Sequence, residues 1–304
     1  MSAARTAAGT PLGTLRLWVV AARPRTLPAA VAPVLVGTAL AGAEDTFRPG
    51  AFAAALIGSV FIQIGTNLAN DYSDARRGAD TEDRLGPVRV TAGGLMPPRS
   101  VLVGTYVAFG IAVAAGLYLA AVAGWALLLV GVASIAAGVL YTGGPRPYGY
   151  AGLGELFVFL FFGLVAVAGS YYVQNEELSW EVFALSVPVG LLAAAILVVN
   201  NVRDLDTDRR AGKRTLAVKL GRARARGLFA AMVAVALLTP LVVAAAGGLS
   251  WWIALSAVSS ALALPLWRIV STHTDGPALN EALAGAGRLL AAFSLLLSVG
   301  VLLS

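Results

Sequence analysis

Residues 182–208 read VFALSVPVGLLAAAILVVNNVRDLDTD, an apolar run that ends in a cluster of asparagines and aspartates. An apolar run of about 20 residues can cross the hydrocarbon core of a membrane as a helix. Helix is the expected conformation because lipid offers no partner to a free backbone N–H or C=O. The stretch therefore predicts a membrane-spanning helix that carries carboxylates at one end.

Similar apolar runs recur along the whole chain. The chain has 304 residues, of which 58% are apolar and 12% charged, whereas soluble domains contain about 25% charged residues. This composition excludes an ordinary cytosolic enzyme, a disordered chain and a nucleic-acid-binding module. Nine runs are long enough to be candidate spans, with approximate limits 26–43, 51–70, 100–122, 124–141, 153–173, 182–201, 227–246, 251–267 and 283–303.

We therefore expect an all-α, polytopic integral membrane protein that forms a single domain over residues 1–304. Its nine transmembrane helices should be bundled around a central cavity that opens near the cytoplasmic side. The first run, 26–43, is long and no cleavage pattern precedes it, which favours an uncleaved span over a signal peptide.

The basic residues predict the orientation. If the N-terminus is cytoplasmic, Arg48 is the one residue among 22 Lys and Arg that does not fall on or near the cytoplasmic side. Such a bias orients membrane proteins, and it favours nine spans with the C-terminus outside. The segments 71–99 and 202–226 are the richest in charge and are expected to be cytoplasmic catalytic loops.

Two polar clusters close the second and sixth of these runs. The first reads NLANDYSD over residues 67–74, and helical spacing places Asn67, Asn70, Asp71 and Asp74 on one face. The second reads NNVRDLDTD over residues 200–208. Its members Asn200, Asp204 and Asp208 again share one face, beside Asn201.

Several carboxylates on one face repel one another, and a carboxylate at membrane depth is normally paired or functional. A divalent cation removes the repulsion. The chain has no Cys and one His, His273, so hard oxygen ligands remain, and these suit Mg²⁺. Mg²⁺ typically joins a few carboxylates to substrate phosphates, so two facing clusters predict a Mg²⁺-bound diphosphate.

Basic residues follow both clusters and can bind phosphate oxygens. They are Arg76, Arg77 and Arg84 after the first cluster, and Arg209, Arg210, Lys213 and Arg214 after the second. For the individual arginines, a solvated loop on the positive side of the membrane is the alternative interpretation.

The motifs Asn70-Asp71-x-x-Asp74 and Asp204-x-x-x-Asp208 resemble those that follow the second and sixth helices of UbiA-type intramembrane prenyltransferases. The nine-helix topology of that family covers the whole chain. Gly78 stands where the first motif usually has its last aspartate, and Asp80 follows two residues later. This spacing resembles the branch of the family that prenylates 1,4-dihydroxy-2-naphthoate, as do the stretches ARPRTLP at 22–28, DRLGP at 83–87, YTGGPRPYGY at 141–150 and GKRTLAV at 212–218.

The resemblance implies Mg²⁺-dependent transfer of a polyprenyl group from polyprenyl diphosphate to 1,4-dihydroxy-2-naphthoate. Diphosphate and CO₂ would leave, and demethylmenaquinol would form in menaquinone synthesis. The implied partners are these two substrates and the lipid bilayer, and the implied location is the bacterial plasma membrane.

Three groups of candidate site residues follow. Metal and diphosphate binding is expected from Asp71, Asp74, Asp80, Asp204 and Asp208. Catalytic roles are expected for Lys213, Arg146, Tyr141, Tyr148 and Glu155. Further substrate contacts are expected from Asn67, Asn70, Asn200, Asn201, Arg23, Arg76, Arg77, Arg84 and Arg214.

Two alternatives remain open from the sequence. Another aromatic acceptor, such as 4-hydroxybenzoate or homogentisate, would keep the same chemistry. A transporter is the alternative from a different class, but transporters place their charged groups near the membrane midplane. Here both clusters lie at the ends of apolar runs.

Overall fold

The computed structural model describes residues 13–79 and 85–304, and the regular secondary structure of these residues is helical. Residues 1–12 and 80–84 are outside the described part. In chain order the helices are α1 Thr14–Ala22, α2 Pro28–Ala43, α3 Pro49–Arg76, α4 Pro98–Ala123, α5 Ala126–Leu140, α6 Gly154–Asn175, α7 Trp180–Arg210, α8 Leu216–Leu220, α9 Arg222–Ala245, α10 Trp251–Thr272 and α11 Gly276–Leu302.

Each of the nine apolar runs falls on a helix, but the helices differ in length. Seven of them are long and apolar enough to cross a membrane, namely α3, α4, α6, α7, α9, α10 and α11. An eighth span arises if the segments Thr14–Thr26 and Pro28–Ala43, bent by 55°, are taken together. The helix α5 has 15 residues, which rise only about 22 Å, less than the roughly 30 Å core. Nine membrane spans thus stay a prediction.

The helix α7 is the centre of the bundle. Its apolar window has a mean hydropathy of 2.7, the highest of the long helices, and 72% of that window is buried inside the protein. Side chains such as Leu185, Leu192 and Val199 pack there against residues of α2, α6, α9 and α11. The stretch that predicted a span therefore forms the core of the fold.

Glycines allow the helices to approach closely. A Cβ atom on Gly163 of α6 would lie 2.7 Å from the Gly190 Cα of α7, so both positions exclude a larger residue. Membrane helices lack a hydrophobic driving force between them and depend on such close packing. The contact lies in a π-helical stretch of α6, Phe159–Val165.

The helices α3 and α4 form an antiparallel pair. The side chains beside Gly65, Gly58 and Gly50 of α3 are Phe109, Ala115 and Tyr118 of α4, in that order. The order means that the C-terminal end of α4 lies beside the N-terminal part of α3. Asp74, at the other end of α3, is therefore far from the C-terminal end of α4.

We predict that Gly163→Ala destabilises the bundle. The added Cβ must separate α6 from α7, and overpacking of this kind costs about 1–3 kcal/mol of unfolding free energy. Thermal unfolding of the detergent-solubilised protein should show a lower midpoint.

The matched control is Gly227→Ala in α9, where a Cβ meets nothing within 4 Å. It should not lower the midpoint, since Ala favours helix over Gly. Equal midpoints for the two variants would contradict the close contact.

Candidate active site

A cavity of about 440 Å³ lies between α2, α3, α4, α5, α6 and α7. Its polar end brings both sequence clusters together, because residues of α3 and α7 line it side by side. Most of the remaining wall is apolar. The predicted site residues that line the cavity are Arg23, Asn67, Asn70, Asp74, Tyr141, Tyr148, Asn200, Asn201, Asp204, Asp208 and Lys213.

Asp74 is the buried carboxylate of the first cluster that faces the cavity. Its Oδ2 atom accepts a hydrogen bond from Arg89 Nη2 at 3.2 Å, and its Oδ1 atom accepts one from the Tyr150 hydroxyl at 2.5 Å. One turn earlier, Asn70 Oδ1 accepts from the Thr142 hydroxyl at 2.9 Å. Two segments outside α3 thus form hydrogen bonds to this face: one carries Arg89, and the other carries Thr142 and Tyr150.

Arg23 and Asn67 connect the start of α2 to α3. Arg23 adopts a left-handed backbone conformation with φ of 54°, which ends α1 and turns the chain towards α2. The Arg23 guanidinium donates to the Asn67 backbone carbonyl at 3.5 Å. Asn67 Nδ2 donates to the Ala22 carbonyl at 2.9 Å and to the Thr26 hydroxyl at 3.1 Å, so Asn67 fixes this turn.

Asp71 differs from the expectation for a metal ligand. Its two carboxylate oxygens accept hydrogen bonds from the backbone N–H groups of Val90 and Thr91, at 3.1 and 2.9 Å. Asp71 does not line the cavity. Although it shares a helical face with Asp74, its side chain points to the segment that carries Arg89. The structure gives Asp71 the role of fixing that segment.

In the second cluster, Asp204 forms a fork with its neighbour Arg203. The Arg203 Nε and Nη2 atoms donate to the two carboxylate oxygens at 2.8 and 2.6 Å. Arg203 is almost fully buried and also donates to Asn200 Oδ1 and Asn280 Oδ1. The two hydrogen bonds hold Asp204 in a fixed position. Removing one partner of such a buried pair is strongly destabilising.

Asp208 and Lys213 lie at the end of α7 and in the loop after it. Their side chains form an ion pair with 3.8 Å between Lys213 Nζ and Asp208 Oδ1. Lys213 Nζ also lies 4.8 Å from the centre of the Tyr150 ring. Tyr150 thus contacts Asp74 through its hydroxyl and Lys213 through its ring, and it links the two clusters.

Aromatic residues form the wall beside the polar end. Tyr141 and Tyr148 meet edge to face with ring centres 5.5 Å apart, and Tyr148 stacks on Phe157 at 4.1 Å. Burial raises the pKa of the Tyr148 phenol above its ordinary value. The phenol is therefore protonated at neutral pH and donates to the Ala137 carbonyl at 2.9 Å.

Glu155 lies at the start of α6, behind the cavity wall. Its Oε1 atom accepts a hydrogen bond from Asn201 Nδ2 at 2.8 Å. Its Oε2 atom is buried and has no hydrogen-bond partner among residues 13–79 and 85–304. Asn201 lines the cavity and Glu155 does not, so Glu155 orients Asn201.

The other basic candidates are not brought into the cavity. Arg76, Arg77, Arg146 and Arg214 are exposed. The Arg76 guanidinium lies over the Tyr72 ring, and Arg77 donates to the Gly144 carbonyl, so both hold surface structure. Asp80 and Arg84 lie outside the described residues.

Sequence reasoning missed Arg89, Tyr150 and Arg203. Arg89 lies 15 residues beyond Asp74 in an irregular segment, where no periodicity connects the two. Tyr150 was part of a motif but was not assigned a role. Arg203 could have been recognised from the sequence as a partner of Asp204, because the two residues are adjacent and carry opposite charges.

The donor set fits Mg²⁺. Asp74, Asp204 and Asp208 offer carboxylate oxygens, and Asn70 and Asn200 offer amide oxygens, at one end of the cavity. Over residues 13–79 and 85–304, no three His, Cys, Asp or Glu side chains form a metal-binding group. Mg²⁺ does not require such a cage, because it is usually bound by one or two carboxylates together with substrate phosphates.

The helices and the cavity define a multi-pass membrane protein whose cavity is lined by charged residues at one end and is mostly apolar elsewhere. The chain matches the UbiA prenyltransferase family over residues 30–302. It therefore belongs to this family of prenyltransferase enzymes.

Curated relatives cover most of the chain. A protein from Mycobacterium leprae named 1,4-dihydroxy-2-naphthoate octaprenyltransferase is 43% identical over 271 residues, which are 89% of this chain and 90% of that protein. The protein of the same name from Mycobacterium tuberculosis is 49% identical over 222 residues, 72% of this chain and 75% of its own length.

Solved structures share the fold. The apo structure of a UbiA homolog from Aeropyrum pernix K1 has a TM-score of 0.68 at 19% identity and covers 91% of this chain and 97% of its own. A UbiA homolog from Archaeoglobus fulgidus bound to GPP and Mg²⁺ has a TM-score of 0.66 at 17% identity and covers 95% and 100%.

We predict that Asp71→Asn loosens the segment that carries Arg89. The asparagine keeps one acceptor oxygen, so one of the Val90 and Thr91 amides loses its partner. Hydrogen exchange should show faster exchange at these amides, by about tenfold or more, since an unsatisfied buried donor costs about 1–3 kcal/mol. Unchanged protection at both amides would contradict the role of Asp71 in fixing the segment.

Proposed function

We propose that the protein transfers a polyprenyl group from polyprenyl diphosphate to 1,4-dihydroxy-2-naphthoate. Diphosphate and CO₂ leave, and demethylmenaquinol forms, a step of menaquinone synthesis. One observation carries this proposal. The carboxylates of α3 and α7 line one end of a single cavity together with Lys213 and Arg89, and the rest of that cavity is mostly apolar. The names of the relatives support this acceptor over 4-hydroxybenzoate or homogentisate.

The diphosphate is proposed to bind at the polar end. Lys213 adds a point charge, and Arg89 and Arg23 offer planar donor groups to phosphate oxygens. All three line the cavity beside the carboxylates. The prenyl tail then lies along the apolar wall formed by α3, α4, α5 and α6.

Mg²⁺ is proposed to be held by one or two of the carboxylates Asp74, Asp204 and Asp208, together with phosphate oxygens of the substrate. When bound, it stabilises the negative charge that grows on the leaving diphosphate as the allylic carbon–oxygen bond breaks. Asn70 and Asn200 have amide oxygens that complete the metal shell or orient the carboxylates. Asp71 acts indirectly, because it fixes the segment that brings Arg89 to Asp74.

The aromatic wall is proposed to protect the allylic cation. Water would capture the cation, and Tyr141, Tyr148 and Phe157 keep this part of the cavity apolar. Ring faces also attract a cation. The phenol of Tyr148 is held in place by the hydrogen bond that it donates to the Ala137 carbonyl.

The naphthoate is proposed to bind beside Asn201. Its ring carbon that bears the carboxylate attacks the allylic carbon, a carbon–carbon bond forms, and the electrons of the broken C–CO₂ bond return to the ring. Asn201 lines the cavity and is a partner for a naphthol hydroxyl. Glu155 orients Asn201 through their 2.8 Å hydrogen bond.

The membrane topology belongs to the same proposal. Nine spans, a cytoplasmic N-terminus and an outer C-terminus agree with the distribution of basic residues. In this orientation the polar end of the cavity faces the cytoplasm, where both water-soluble products can leave. The segments 71–99 and 202–226 then lie on that side; they were expected to be loops, but they include the ends of α3 and α7, the helix α8 and the start of α9.

The direct test is product formation by the purified, detergent-solubilised protein with both substrates, with and without Mg²⁺. Demethylmenaquinol that appears only with Mg²⁺ is the expected result. Product with 4-hydroxybenzoate or homogentisate instead would keep the chemistry and overturn the acceptor. No transfer to any of these acceptors by folded protein would overturn the proposal.

We predict that Asp208→Asn lowers the turnover rate by about a hundredfold or more, because it removes a carboxylate proposed to hold the Mg²⁺ that stabilises the leaving diphosphate. The matched control is Asp206→Asn. Asp206 is exposed, pairs with Arg222 at 2.7 Å and does not line the cavity, so its loss should change turnover little. Equal losses for both variants would exclude a specific role of Asp208.

We predict that Tyr150→Phe raises the Mg²⁺ concentration for half-maximal activity by about tenfold, since partners that orient metal ligands typically contribute this much. The phenylalanine loses the hydrogen bond to Asp74 but keeps a ring beneath Lys213. Tyr72→Phe is the control, because the Tyr72 hydroxyl contacts Arg76 at the surface. An unchanged half-maximal concentration would show that Tyr150 does not position Asp74.

A further inference from the structure

The start of α11 lies against the segment that carries Arg89. A Cβ atom added to Gly276 would lie 3.0 Å from the Leu85 carbonyl oxygen, so the backbone of α11 approaches Leu85 closely. One helical turn later, Asn280 Nδ2 donates a hydrogen bond to the same carbonyl oxygen at 3.0 Å. Leu85 precedes Arg89 by four residues. The side chain of Asn280 is therefore attached to the chain shortly before Arg89.

Asn280 also contacts the second cluster. Its Oδ1 atom accepts a hydrogen bond from Arg203 Nη1 at 2.7 Å. The same guanidinium forks onto Asp204, and only 1% of the Arg203 side chain is exposed. Asp204 and Asn200, which also accept from Arg203, lie on α7, whereas Asn280 lies on α11. One side chain thus joins the buried Arg203 to the backbone at Leu85.

The amide of Asn280 suits both contacts. A guanidinium can only donate hydrogen bonds, and a backbone carbonyl can only accept them. The group between them must therefore accept on one side and donate on the other, which fixes the orientation of the Asn280 amide. Aspartate has almost the same shape but is an acceptor only when ionised, so it could keep the contact with Arg203 and not the contact with Leu85.

Arg89 lies between two attachments of its segment. Asp71 accepts the two backbone amides that directly follow Arg89, and Asn280 donates to the carbonyl of Leu85 before it. The first attachment belongs to α3 and the first cluster. The second belongs to the hydrogen-bonded group around Asp204. The position of Arg89 relative to the second cluster therefore depends on the attachment through Asn280.

We propose that Asn280 is a positioning residue, which holds residues 85–89 at a fixed distance from Asp204 so that Arg89 and the second cluster reach the same diphosphate. The inference rests on the proposed function, in which Arg89 binds phosphate oxygens. Asn280 does not line the cavity, whereas Leu283, three residues later on α11, does. Asn280 thus acts from behind the cavity wall, through Arg203 and through the backbone at Leu85.

The first test needs no substrate. Asn280→Asp keeps an acceptor for Arg203 and removes the donor to Leu85. In the detergent-solubilised protein, hydrogen exchange at the Val90 and Thr91 amides should become about fivefold faster, the effect of one typical intramolecular hydrogen bond. Unchanged exchange at both amides in the folded variant would show that Asn280 does not hold this segment.

The second test measures transfer from octaprenyl diphosphate to 1,4-dihydroxy-2-naphthoate with Mg²⁺. Asn280→Asp should raise the KM for the diphosphate by about fivefold or more and change kcat less, because a contact made before and during bond breaking acts on KM. Asn280→Gln keeps both a donor and an acceptor, so its KM should lie closer to that of the unsubstituted protein.

The effect should also depend on Arg89. In a protein that carries Arg89→Gln, adding Asn280→Asp should raise the KM by less than about twofold, since changes at residues that act together are not additive. A purely structural loss at α11 would instead raise the KM by the same factor in both backgrounds.

The matched control is Asp275→Ala at the start of the same helix. Asp275 is exposed, and its Oδ1 atom accepts the Ala278 amide at 2.9 Å, so it caps α11. Loss of the cap should lower the midpoint of thermal unfolding and leave the KM for the diphosphate unchanged. If Asn280→Asp does not fold, Asn280→Ala replaces it with the same expected results, because it removes the contact with Leu85 without adding a charge.

The outcomes separate the two proposals. If Asn280→Asp and Asp275→Ala raise the KM equally, or if Arg89→Gln leaves the effect of Asn280→Asp intact, the positioning role is wrong and the proposed function stands. If the folded, unsubstituted protein transfers no prenyl group to any aromatic acceptor, the proposed function fails. Hydrogen exchange then still decides whether Asn280 holds the segment that carries Arg89.

Discussion

Carboxylates buried between apolar helices are normally held by a cation or a hydrogen-bond donor, because an unpaired charge at membrane depth is costly. The site is organised around this constraint. Asp74 is held by Arg89 and Tyr150, and Asp204 is held by Arg203. Their partners therefore determine where the loops at the polar end of the cavity lie.

The partners come from segments that are distant in sequence, and this is why two loops converge on one point. Asp71 accepts two backbone amides and so brings the segment with Arg89 against α3. Tyr150 brings the loop between α5 and α6 to Asp74, and its carbonyl accepts the Arg214 amide of the loop after α7. The active end of the cavity is therefore assembled by hydrogen bonds to the same helices that supply the proposed metal ligands.

The sequence predicted the elements well because apolar length and helical spacing are local properties. The apolar runs became helices, and Asn67, Asn70 and Asp74 of the predicted face line one cavity, whereas Asp71 does not. Helical spacing did not separate Asp71 from Asp74, because the direction of Asp71 depends on a loop 20 residues away. The sequence also could not show that Arg146 is exposed and that Arg89 pairs with Asp74. Charge alone does not indicate which arginine contacts a buried carboxylate.

The two uses of glycine show how one residue type gives opposite results in the same bundle. At Gly163 and Gly190 the absent side chain lets two backbones meet, and the helices that carry the second cluster and Glu155 become rigidly joined. At Gly116, Gly131 and Gly169 the absent side chain leaves space that no neighbouring helix fills. A cavity persists only if the surrounding helices are fixed elsewhere. The empty space beside the second set of glycines therefore depends on the helix contact at the first set. A bundle packed tightly along α7 can thus keep an apolar cavity on the side of α4 and α5.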